Sequence, residues 1–134
     1  MAALLMVLIV LHVVPAVFWA GSTFVLARDP MMGDISLRGA QAGAAGLVIV
    51  MGIVLMAIHY DIAPGAQEWT LGIGALCAIV AVGVQHGVAW PARGRLARGS
   101  GDEAANRQRA AMGQRIAALL LVVTVIAMVT WRFM

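Results

Sequence analysis

Four apolar runs, about 2–27, 40–60, 69–90 and 114–133, take up most of the 134-residue chain. Each is long enough to cross roughly 30 Å of hydrocarbon at about 1.5 Å per residue. Inside a bilayer every backbone N–H and C=O needs a partner within the segment, so a lone apolar run of this length has one regular solution, the α-helix. The composition agrees: 63% of residues are hydrophobic, 11% are charged, and the mean hydropathy is +0.96. A soluble domain of this size is less apolar. The connections between neighbouring runs are short, which predicts an all-α, integral membrane, antiparallel four-helix bundle as a single domain over 1–134. The first run carries Pro15 and Trp19 in its interior and no basic residue among its first ten positions. A cleaved signal peptide has a basic start and a shorter apolar core, so the run is expected to be a retained span.

Charge sets the expected orientation. Loops 28–39 and 91–113 hold Arg28, Arg38, Arg93, Arg95, Arg98, Arg107 and Arg109, and Arg115 opens the last span. The opposite side has Arg132 against Asp61 and Glu68. Basic loops stay in the cytoplasm, so a multi-pass protein of a bacterial inner membrane with both termini extracytoplasmic is predicted. The net charge of +3 is then accounted for by topology, and no nucleic-acid partner is expected. The same arginines suit the head groups of membrane lipids. Cys77, the single cysteine, has no partner for an internal disulfide.

The outer connection, DIAPGAQEW, holds a Pro64–Gly65 turn signal, with Trp69 where an interfacial aromatic belongs. Gly39 with Gly43, and Gly83 with Gly87, have the spacing that lets helices approach closely. The second pair flanks His86 and would also leave room for a flat macrocycle. The oligomeric state stays open, a homo-oligomer included.

His12, His59 and His86 are the only histidines. An imidazole in hydrocarbon is costly and should face a partner, a cofactor or a wet cavity. On a 3.6-residue helix His12 shares a face with Leu5, Ala16, Trp19 and Thr23. Counted from the span midpoints, His12 lies about 4 Å and His59 about 13 Å to the outer side, with His86 about 9 Å to the cytoplasmic side. Two ligands of one upright haem need similar depths, which His12 and His86 do not have. Met51 and Met56 bracket the depth of His12, so a His/Met site is easier to build. Copper is the alternative metal, with His12, Met51, Met56 and Cys77 as soft ligands. The chain has no HExxH, CxxC, Walker loop or dinucleotide-binding glycine fingerprint.

The order Leu11, His12, Trp19, Arg28, with Ala20–Gly21 between, resembles the first span of HemJ-type protoporphyrinogen oxidases, small haem-b membrane proteins. HGVAWPARGRLARG, residues 86–99, is similar to that family's third span and basic loop, with His86 as the matching histidine. The first-span pattern also resembles copper-resistance D-type membrane proteins. The resemblance implies haem b held by His12, with His86 as a second ligand or a substrate-side group. It implies Trp19 as a pocket wall, Arg28 and Arg93 as propionate partners, and a redox role on a porphyrin- or quinone-like substrate or in electron transfer. The family's lysines are absent here, and its Asn-Glu-x-Pro motif is replaced by QRIAAL at Gln114–Leu119. The resemblance therefore implies the cofactor more directly than the oxidation, and leaves a non-catalytic accessory subunit as a further alternative.

Overall fold

A computed structural model describes residues 2–32, 35–59 and 65–133, with the side chains of Ala2, Ile35, His59, Ala66, Gln67 and Arg132 outside the description. The outer-connection residues up to Pro64, and with them most of the expected turn, lie outside the described residues. The described chain is helical: α1 Ala2–Arg28, α2 Ile35–His59, α3 Ala66–Val84, a π turn Gln85–Ala89, α4 Trp90–Ala97 and α5 Glu103–Thr130. A 3₁₀ turn, Trp131–Phe133, follows α5. Four helical segments are long and apolar enough to cross a membrane, the third being α3, the π turn and α4 run together. The protein is a multi-pass, all-α four-helix bundle.

Local chemistry explains the ends and the one interruption. Asp102 caps α5, its Oδ1 accepting from the N–H groups of Ala104 at 3.0 Å and Ala105 at 3.3 Å. Such a cap satisfies donors that the first turn otherwise leaves orphaned. Gly99 and Gly101, at φ +62° and +80°, supply the left-handed conformations that turn the chain from α4 into α5. At the other face Glu68 accepts from the Gly65 N–H at the start of α3. The π turn precedes Pro91, whose ring lacks an N–H and would crowd the carbonyl four residues back. Widening the helix relieves that crowding, and the Trp90 N–H reaches the Gln85 carbonyl five residues earlier.

The helices close in the order α2–α1–α5–α3. α1 packs on α2 and on α5, α3 packs on α5, and the α2–α3 seam is slight. The core is small-residue rich: Ala45, Val48, Ala78, Ala81, Ala117 and Leu121 surround Trp19. Large apolar side chains such as Val17, Ile53, Leu76 and Leu119 point outward, the pattern expected when lipid is the solvent.

Close approach falls on glycines other than those the spacing suggests. Gly39, Gly43, Gly83 and Gly87 are exposed, and a Cβ added at any of them meets nothing within 4 Å. They face outward and do not seat a helix within the bundle. The glycines that do are Gly74, Gly113 and Gly52. A Cβ on Gly113 would lie 2.9 Å from the Ala89 Cβ and 3.1 Å from its backbone nitrogen, and one on Gly74 would lie 3.1 Å from the Ala127 Cβ. A small-residue spacing states that helices can approach, while the lipid-facing side of each helix decides which pairs do.

Candidate functional site

At the depth of Trp19 the bundle encloses a cluster of polar side chains. Trp19, Thr23, Gln41, Gln85 and Gln114 are all buried. The Gln85 carboxamide is the hub. Its Oε1 accepts from Trp19 Nε1 at 2.8 Å, and its Nε2 donates to Thr23 Oγ1 at 2.8 Å and Gln114 Oε1 at 3.1 Å. Thr23 Oγ1 donates to its own helix at the Trp19 carbonyl, 2.7 Å away, and Ser22 Oγ donates to the same oxygen at 3.0 Å. Ser22 in turn accepts from Gln41 Nε2 at 2.7 Å. One hydrogen-bonded set thus links α1, α2, the π turn and α5. In hydrocarbon each of these groups would otherwise be unsatisfied, so the set fixes both register and rotation of the helices.

Gln85 opens the π turn, so the same distortion that accommodates Pro91 carries the hub of the cluster. π turns of this kind are frequent at functional sites. The three glutamines are not marked by any chemical motif. The signal that finds them is simpler: each of the apolar runs 40–60, 69–90 and 114–133 carries one carboxamide, toward its arginine-side end.

His12 lies outside this cluster. It is half-buried, with its ring against α2, beside the Val48 backbone and over Gly52, where a Cβ would come within 3.1 Å of the ring Cε1. Its Nδ1 is buried and has no hydrogen-bond partner. The pairs His12–Gly52 and Ser22–Gln41 set the α1–α2 register, so Met51 stands at the depth of His12 and Met56 about a turn further out; both are half-buried. Gln85 bonds to Trp19 and Thr23, which places Cys77, eight residues earlier, near the depth of His12 as well; it too is half-buried.

His86 sits within the π turn and partly buried, between the exposed Gly83 and Gly87. Its Nδ1 lies 3.1 Å from the Val82 carbonyl. A carbonyl can only accept, so Nδ1 carries the proton and Nε2 is the free nitrogen, the arrangement metal-ligating histidines use. By register His86 lies at the Trp19–Thr23 turn, nine residues below His12, or about 13 Å in depth. The two histidines are not brought together. The side chain of His59 is outside the description.

The arginine face is tied to α1. Arg93 Nη2 donates to the Met32 carbonyl at 2.9 Å and reaches that of Met31 at 3.5 Å, while its guanidinium lies 5.1 Å from the Trp90 ring centroid. Arg115 Nε donates to the Ala27 carbonyl at 3.4 Å. Arg115 thus complements the dipole at the last turn of α1, while Arg93 holds the connection just beyond it. Arg28 is exposed at the end of α1. Among the described residues no three of His, Cys, Asp and Glu gather as a metal site.

Fold and site together define a four-span membrane protein with an interior carboxamide cluster and two separate histidines. Compared with protein-family models, with curated proteins and with solved structures, the chain finds no match.

Proposed function

We propose that this chain is a haem b-binding protein of a bacterial inner membrane with a redox role, and that His12 would hold the haem iron. The observation that carries the reading is the unpartnered, buried Nδ1 of His12 in an otherwise apolar span. The Val48 backbone meets the ring, yet a ring nitrogen held there with no partner of its own is costly, and binding a metal through the imidazole is one way to offset that cost. The offset of about 13 Å in depth means that His12 and His86 would not hold the same iron, so each would hold a group separately. His86, partly buried in the π turn with Nδ1 at the Val82 carbonyl, is therefore a substrate-side or separate ligand.

When bound, the group supplies one-electron chemistry for electron transfer or for oxidation of a porphyrin- or quinone-like substrate. The chain's own residues give the position and the dielectric. His12 orients the ligand nitrogen from a helix tied to its neighbours through Trp19 and Thr23. Trp19 belongs to the shared wall below it. Arg28 and Arg93 stand at the arginine face, Arg28 being about 24 Å along α1 from His12, so they would meet the propionates of a haem held near His86 and not of one held by His12. Copper handling is the second reading, supported by the shared depth of His12, Met51 and Cys77 with Met56 a turn away.

The test is haem and copper per protein, with the absorption spectrum, for the purified chain and its His12→Ala, His59→Ala and His86→Ala variants. A Soret band lost with His12→Ala supports haem. Stoichiometric copper without haem supports the second reading, and a colourless, metal-free protein leaves an accessory subunit.

The proposed orientation has its own check. A periplasm-active reporter fused after Met134 is expected to be active, because eight arginines stand on one face. A cytoplasmic signal from that fusion overturns the orientation.

A further inference from the structure

Where the α1–α2 turn meets the α4–α5 turn, the surface holds a cavity of about 170 Å³. Arg95, Ser100, Gly101, Glu103 and Arg107 line it, with Met31 from the α1 side. The volume is several times a water's share of the liquid, about 30 Å³. Its wall is built firmly. The Ser100 N–H donates to the Arg95 carbonyl at 3.0 Å, and the buried Asn106 holds the Ser100 carbonyl through Nδ2 at 3.2 Å.

Two positive charges face this cavity and one negative charge opposes them. Arg107 pairs with Glu103 at 3.0 Å, both side chains more than half exposed, so the pair is weak and exchangeable. Asp102 is committed to the α5 amides. Depth identifies the surroundings. The helical run from Glu68 to Ala97 is 30 residues, about 45 Å, against a hydrocarbon core of about 30 Å. With Trp69 at the outer boundary, Arg95 stands about 9 Å beyond the inner one, and its side chain, directed toward the helix N-terminus, reaches back toward the lipid head groups.

We infer that this cavity binds the phosphate of an anionic membrane lipid, with Arg95 and Arg107 as its cationic partners and Glu103 as the group it must displace from Arg107. Guanidinium groups suit phosphate oxygens, and the surrounding face carries eight arginines to draw an anion in.

The experiment is native mass spectrometry of the full chain from micelles doped equally with phosphatidylglycerol and phosphatidylcholine. Circular dichroism checks the fold of each variant. Phosphatidylglycerol is expected to be retained in preference. Arg95→Gln and Arg107→Gln should each lower its retention about five-fold, while Arg109→Gln, which does not line the cavity, should leave it unchanged. Glu103→Gln should raise retention by freeing Arg107, a gain that a fold defect would not produce. Equal losses for Arg109→Gln and Arg95→Gln would overturn the proposal in favour of diffuse attraction. So would no gain with Glu103→Gln, or no head-group preference. Full displacement of the lipid by inorganic phosphate at matched concentration would also overturn it, since the site would then read free phosphate.

Discussion

Trp19→Ala is expected to be the most destabilising single substitution in the bundle, by about 3–5 kcal/mol as for large aromatics in soluble cores, toward the lower end where lipid replaces water as the alternative solvent. Trp19 is 1% exposed and centres the cluster of Ala45, Val48, Ala78, Ala81, Ala117 and Leu121. Most of its neighbours are alanines, whose short side chains cannot collapse into the space an indole leaves. The substitution also removes the donor to Gln85 Oε1. Reversible unfolding in mixed micelles measures the loss. An unchanged midpoint would mean that the ring faces lipid.

Gln85→Leu should cost about 2–4 kcal/mol although it adds apolar surface inside a membrane. Hydrogen bonds between membrane helices average about 0.6 kcal/mol and reach about 1.7. Gln85 makes three, to Trp19, Thr23 and Gln114, and its loss strands a buried indole N–H and a carboxamide oxygen. A double-mutant cycle isolates the Trp19 bond. Trp19→Phe and Gln85→Leu together should cost less than the sum of the singles, by about the worth of that one bond. Additive effects would show that the two side chains do not communicate.

These two residues also show what the sequence makes legible. Trp19 and Thr23 share a face with His12 by helical spacing alone, and the structure buries both while leaving His12 half-buried at the α1–α2 seam. The spans are legible because length and apolarity are local properties. The loop 91–113 reads as partly helical, extending the third and fourth spans, and is so, but the ends are not legible: α4 runs on to Ala97 and α5 starts at Glu103, because Asp102 and the left-handed glycines set those ends and hydropathy does not. Gln85 escapes motif-based reading since a carboxamide has no signature spacing; its role comes from partners 62 and 66 residues away. The glycines mislead for a related reason. Gly83 and Gly87 have the spacing for packing, yet the buried side of α3 is set by Gly74, Ala78 and Ala81, which leaves that pair outward. The depth offset between His12 and His86, in contrast, is legible from span midpoints, and the register through Gln85 gives about the same value.

The measurement that tests the central proposal most directly is haem per protein, with the Soret spectrum, for monodisperse wild type and His12→Ala. Near-stoichiometric haem is expected in the wild type, with a severe loss in His12→Ala and the helical content kept. His59→Ala should lose much less, since that residue stands at the end of α2 away from the arginine face. Full haem occupancy and an unshifted spectrum in His12→Ala would make His12 a packing residue of the α1–α2 seam and no ligand.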